Sequence, residues 1–175
     1  MSRGCRTIAA VNAMGRAEFV REFGPVFEHS PWIAQRGWDR RPFLSLADLH
    51  AKLCDVVRES SAEEQMALIR AHPDLVGRMA REGKLTAESA REQSAAGLTG
   101  LSAEEIERFE RHNAEYRGKF GFPFVICARE NRKDAILAAF PRRLRNTVEE
   151  EIATALAEIF KIARLRLMDL IEESA

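Results

Sequence analysis

Apolar positions recur at helical spacing along almost the whole chain. From about Arg16 to Phe27, the residues Phe19, Val20, Phe23 and Phe27 share one face, and Pro31 breaks the run before Trp32-Ile33-Ala34 opens a short helix. Ser45-Leu46-Ala47-Asp48 reads as a cap for a helix with Leu46, Leu49, Leu53 and Val56 on its inner side. Ser61-Ala62-Glu63-Glu64 and Ser102-Ala103-Glu104-Glu105 are capping boxes. The first starts a helix through Met66, Leu68 and Ile69 that His72-Pro73 must end; the second starts a long one through Ile106, Phe109 and His112 to Tyr116. A short helix is expected over Asn131 to Phe140, and Asn146-Thr147-Val148-Glu149-Glu150 caps a last helix to about Ile171.

One stretch departs from the pattern. Phe120-Gly121-Phe122-Pro123-Phe124-Val125-Ile126-Cys127-Ala128 crowds bulky apolar residues around a glycine and a proline. Proline makes it a poor central strand, so it predicts an extended buried segment whose backbone amides need partners outside a helix ladder. Without repeats, low-complexity runs or linkers, the expectation is an all-α, single-domain multi-helix bundle with one extended buried segment near 120–128.

Composition narrows the function classes. The 175 residues carry 27 basic and 27 acidic side chains, so no global field favours nucleic acid. Cys5, Cys54 and Cys127 lie far apart without C-x-x-C spacing, which argues against a disulfide framework or a zinc site and for a reducing compartment. The N-terminal apolar run is too short for a signal peptide, and no stretch approaches the roughly 20 apolar residues of a membrane span. The C-terminus, Glu172-Glu173-Ser174-Ala175, is no peroxisomal tripeptide. A cytoplasmic protein is expected.

Candidate chemistry gathers at a few positions. Ser89, Glu92 and Gln93, at i, i+3 and i+4, leave one face of a helical turn. His72 has two readings: a helix-end histidine that complements the macrodipole, or a proton-transfer group suited to neutral pH. The stripe Ile152, Leu156, Ile159, Ala163 of the last helix continues to Arg166 and then Leu170. A guanidinium there is a snorkelling or ion-paired structural group, or an anion-binding fork. His29, His50 and His112 have no metal-ligand spacing. G-x-S-x-G, Walker, G-x-G-x-x-G and H-E-x-x-H motifs do not occur, and no cysteine has a local base.

The run Ala71-His72-Pro73-Asp74-Leu75, the run Glu88-Ser89-Ala90-Arg91-Glu92-Gln93-Ser94-Ala95-Ala96-Gly97-Leu98, and Phe27-Glu28-His29-Ser30-Pro31-Trp32 combine with Phe120–Ile126 and Leu165-Arg166-Leu167. In this order, over about residues 11 to 171, they resemble the 2-oxo-4-hydroxy-4-carboxy-5-ureidoimidazoline (OHCU) decarboxylase family. The resemblance implies cofactor-free decarboxylation of OHCU to (S)-allantoin in urate catabolism, without a metal. It implies that His72 is catalytic with Glu92 beside it. It also implies that Pro73, Ser89, Ala90, Arg91, Glu92 and Gln93 bind substrate, and that Phe124, Val125, Ile126, Cys127 and Ala128 hold its ring through backbone groups. Arg166 matches an arginine facing the ligand, and a homodimer is implied. Residues 1–10 fall outside the match as a variable extension, leaving 11–175 as the domain. Two other readings stand beside this one: a non-catalytic helical binding module, and a decarboxylase or hydrolase of a related ureido or hydantoin compound.

Overall fold

Capping residues set most of the element boundaries in the computed structural model, which describes residues 6–172. Cys5 and the rest of 1–5, with 173–175, lie outside the described residues. The helices are α1 (Ile8–Ala13), α2 (Arg16–Phe23), α3 (Trp32–Gly37), α4 (Leu46–Arg58), α5 (Ala62–Ala71), α6 (Arg78–Arg81), α7 (Ala87–Ala95), α8 (Ala103–Phe120), α9 (Lys133–Arg143) and α10 (Val148–Met168). Short 3-10 turns cover Gly24–Val26, Trp38–Arg40 and Ala128–Glu130. Among the described residues there is no strand, only an isolated parallel bridge between Arg6 and Ile171. The fold class is all-α, as expected. Of the ten residues read as an extension, Arg6 makes that bridge and Ile8 begins α1.

The chain forms two compact units. The first joins the chain's two ends, up to Ala71 and from Phe160 onward. Its core holds Phe19, Phe23, Phe27, Phe43, Ile33, Leu49 and Leu53, all essentially without solvent contact. Each such burial contributes about 1.5–3 kcal/mol before chain entropy is charged. Ser45 caps α4 by accepting from the Asp48 amide at 3.0 Å. The expected helix to Phe27 stops at Phe23, because Pro25 supplies no amide to continue the ladder and a 3-10 turn follows.

The second unit is continuous, His72–Ile159. Phe109, Tyr116, Phe122, Phe124 and Phe140 form its core, with Phe124 stacked on Phe140 at 3.9 Å between ring centroids and Tyr116 edge-on to Phe124 at 5.2 Å. Ser102 and Glu105 complete their capping box at the start of α8. That helix runs a turn past the expected Tyr116, to Phe120, and ends where Gly121 takes φ 75°. Only glycine enters that region without steric cost, and its amide closes the last turn on Arg117 O. The chain then enters the extended segment, whose Phe122, Phe124 and Val125 are buried. α9 passes the expected end at Phe140 and carries Pro141 within its last turn, reaching Arg143.

α10 supplies 148–159 to this unit and its remainder to the first. Its buried face is rotated from the expected stripe. Ile152 and Leu156 are half-buried, while Glu151, Ala155, Ile159, Ile162, Ala163, Arg166 and Leu167 are buried.

Candidate functional site

Pro73 cannot continue α5, so the helix ends at Ala71 and the chain enters the continuous unit at His72. The Ser61–Glu64 capping box that starts α5 is complete, with amide bonds of 3.2 and 3.1 Å in the two directions. His72 is buried, at 6% exposure, and Pro73 is half-buried. The turn that follows is fastened at three points. Arg117 Nε donates to both Asp74 oxygens at 3.0 Å, Asn113 Nδ2 to Leu75 O at 2.8 Å, and the Val76 amide to Gln93 Oε1 at 3.1 Å. Val76 itself sits at φ 55°, a left-handed conformation that β-branched residues seldom adopt. The Gln93 bond over-determines that strained turn.

Gln93 belongs to α7, which Thr86 caps through the Ser89 amide at 3.2 Å. The helix closes at Gly97, φ 76°, with the Leu98 amide reaching back to Gln93 O at 3.0 Å. Burial divides the expected binding run: Ser89 and Gln93 are buried, Glu92 is half-buried, and Ala90 and Arg91 are exposed. The Val76 amide fixes which end of the Gln93 carboxamide is oxygen. Its Nε2 is therefore a buried donor without a hydrogen-bond partner among the described residues. Gln93, with Val76, Leu85 and Leu98, borders a cavity of about 340 Å³.

α7 packs on the 3-10 turn Ala128–Glu130, and the Lys133 amide donates to Ala96 O at 3.2 Å. The Ser89–Gln93 face and the end of the extended segment are thereby brought together. Between Phe124 and Ala128 the backbone is only partly free. Val125 O accepts from Arg143 Nη1 at 2.5 Å, and the Cys127 amide donates to Glu158 Oε2 at 2.8 Å. Two backbone groups of the segment, the Val125 carbonyl and the Cys127 amide, thus have side-chain partners outside a helix ladder. Among the described residues, no hydrogen bond reaches the backbone of Phe124 or Ile126, although both are buried. Arg143, Glu151 and Glu158, which hold or back up these ties, were not singled out in the sequence. Arg143 and Glu151 stand in charged runs that look solvated, and Glu158 is a lone carboxylate between Ala157 and Ile159.

Arg166 lies in the other unit. It is 4% exposed and donates through Nη1 to Glu28 Oε2 at 3.0 Å and to Pro25 O at 3.2 Å. Of its two readings, the structure displays the ion pair.

Burial favours the protonated form of the Cys54 and Cys127 thiols, although His50 Nε2 lies 3.3 Å from Cys54 Sγ. Burial pushes Cys127 up to about 11, with the charges of Glu130, Glu158 and Glu92 adding to the shift, which sets Glu92 within electrostatic range of Cys127. Burial raises Cys54 to about 12. No group of three or more His, Cys, Asp or Glu gathers among the described residues in a metal-holding arrangement. No helix described is long and apolar enough to cross a membrane.

Comparison with known proteins puts this geometry in context. The family profile described as OHCU decarboxylase matches residues 12–168. The 2-oxo-4-hydroxy-4-carboxy-5-ureidoimidazoline decarboxylase of Amia calva is 44% identical over 162 residues, covering 93% of each chain. A crystal structure of (S)-allantoin synthase superposes with a TM-score of 0.75 at 28% identity, over 95% of this chain and 54% of that one, so this chain spans about half its length. A crystal structure of OHCU decarboxylase in the presence of (S)-allantoin gives a TM-score of 0.64 at 25% identity, covering 79% and 89% of the two chains.

Proposed function

The chain belongs to the OHCU decarboxylase family, and we propose that it converts OHCU to (S)-allantoin in urate catabolism. The observation that carries this is the 44% identity spread over 93% of both this chain and its Amia calva relative. The reaction asks little of a cofactor. As the C–C bond to the carboxylate breaks, CO₂ leaves, and the bonding pair passes into the adjacent ring C=N. The former C=N carbon is then protonated on one face while the 4-hydroxyl gives up its proton, to the ring nitrogen, and becomes a carbonyl, which gives a single enantiomer. The protein must hold the carboxylate out of the ring plane and handle one proton.

His72 is the proposed proton carrier. A buried imidazole following a helix stop is held in place, and histidine is the side chain whose ordinary titration lies nearest neutrality. Glu92 supports the protonated imidazole. Ser89 and the unpartnered Gln93 Nε2 donate to the ring, and the free backbone groups of Phe124 and Ile126 complete its seat, with Pro73, Ala90, Arg91 and Ala128 flanking. Val125 and Cys127 support the segment through their tied peptides. Arg166 holds a substrate anion on the strength of the family resemblance. The assembly is a homodimer working in the cytoplasm, again by that resemblance.

The test uses OHCU made fresh from urate, with (S)-allantoin followed by circular dichroism. The wild-type protein should accumulate (S)-allantoin well above the spontaneous, racemic background. His72→Asn, folded, should lose about 10²–10⁴ of that rate. Near wild-type turnover in the variant removes His72 from the mechanism, and background-level turnover in the wild type removes the assignment itself.

A further inference from the structure

We infer that Arg143 is a positioning residue for the substrate-holding segment, acting through the carbonyl of Val125. The inference deepens the reading above and rests on it.

Arg143 ends α9 with 4% of its surface exposed. Its Nη1 donates to Val125 O and its Nε to Glu151 Oε1, both at 2.5 Å. The guanidinium lies 4.3 Å from the centroid of the Phe124 ring, so the same group grips two successive residues of the segment. Glu151 has no solvent exposure at all. Tyr116 Oη donates to its Oε1 at 2.5 Å and Asn146 Nδ2 to its Oε2 at 2.8 Å. Burial, and then the bond to Glu151, raise the titration of Tyr116, which keeps it a neutral donor. The network therefore turns the guanidinium in one direction only.

Stability alone is a poor account of these charges. A buried ion pair loses so much hydration that a well-packed apolar pair generally serves a core as well or better. What the pair does, and an apolar pair could not, is fix the orientation of one peptide plane. Cys127 is extended, φ −69° and ψ 94°, and its amide is held by Glu158. In extended backbone, residues i and i+2 present their polar groups to one edge and residue i+1 to the other. Clamping Val125 and Cys127 on one edge directs the Ile126 peptide to the opposite edge, the side left without a partner in the protein. Arginine suits the role because its planar fork holds a carbonyl and a carboxylate in one fixed plane, whereas the donors of an ammonium rotate.

The experiment is Arg143→Lys in the full chain, read by steady-state kinetics on fresh OHCU and by amide hydrogen exchange of residues 124–128. Exchange of the segment should accelerate while far-UV circular dichroism is preserved. KM should rise about tenfold or more with a smaller change in kcat, since a misplaced seat weakens binding. A purely structural role would lower the active fraction and the Tm and leave KM unchanged; that result overturns the inference. Unchanged exchange overturns it too, because Arg143 would then not hold the segment. Faster exchange with unchanged KM overturns it by a different route, showing a segment that Arg143 holds but substrate does not use. A wild-type protein inactive on OHCU would instead defeat the functional reading, and the inference with it. If Arg143→Lys does not fold, Tyr116→Phe removes only one donor to Glu151. It should raise KM about threefold in the same direction, and an unaltered KM overturns the inference.

Discussion

Arg166 and Glu28 face each other at 3.0 Å, and both side chains are almost wholly removed from solvent. The guanidinium is further satisfied by the carbonyl of Pro25, so the pair fixes the turn that replaces the last helical residues of the α2 region. Removing one partner would strand the other as a buried charge. Arg166→Leu is therefore expected to lower unfolding free energy by about 3–5 kcal/mol, and the double variant Arg166→Leu/Glu28→Leu to recover much of the loss. Urea denaturation of the four species checks this. Full additivity of the single changes would deny the coupling.

Glu92 carries a different expectation. It is half-buried on the face of α7 that meets the end of the extended segment, and its proposed task is to support a protonated imidazole. Glu92→Gln should cost about 100-fold in kcat with little change in Tm, and should shift the alkaline limb of the kcat pH profile, set by protonated His72, to lower pH. A kcat equal to wild type would leave Glu92 as a surface carboxylate.

Gln93 holds strain as well as offering a donor. Gln93→Met keeps the length of the side chain and removes the acceptor of the Val76 amide, at a residue with φ 55°. A stability loss of about 1–3 kcal/mol is expected, together with faster amide exchange at Val76. Unperturbed exchange there would show that the turn holds itself.

His50 makes stability depend on pH. Its Nε2 lies 2.8 Å from Phe160 O, and burial, the largest influence, lowers its titration below the ordinary 6.5. The unfolded chain then binds a proton near pH 6.5 that the folded one refuses until lower pH, so the unfolded state carries more protons in between. Stability from this group is complete above about 6.5 and is lost as pH falls below it. Burial lowers His112 too, in the same sense. Tm measured from pH 7.5 down to about 5.5 should fall, and His50→Gln should flatten part of the slope. An equal slope in the variant would exclude His50 as a source.

The helices were legible because caps are local. Ser45, Ser61 and Ser102 each announce a bond to an amide three residues on, and each makes it. The anomaly of Arg166 was legible as well, since a guanidinium on an apolar stripe needs an explanation wherever the stripe goes. Its partner was not. Glu28 is 138 residues away in sequence, and no periodicity links the two. Glu151 was hidden more thoroughly. It follows Glu149 and Glu150 in a first helical turn, where acidic residues are ordinary. Only the meeting of α8, α9 and α10 turns it inward. The extended segment shows the same limit: proline and glycine revealed that its amides would need partners, but Arg143 and Glu158 come from helices far along the chain.

The division of α10 has a consequence for how the molecule is made. The unit His72–Ile159 is one unbroken stretch, whereas the other cannot close until Phe160 and the residues after it have been synthesised. On a growing chain, α2 to α5 can pack on one another, but their unit stays incomplete until the end of α10 arrives, whereas the segment carrying His72 and α7 holds all of its own unit. The unit that starts earlier in the sequence is therefore the one completed later.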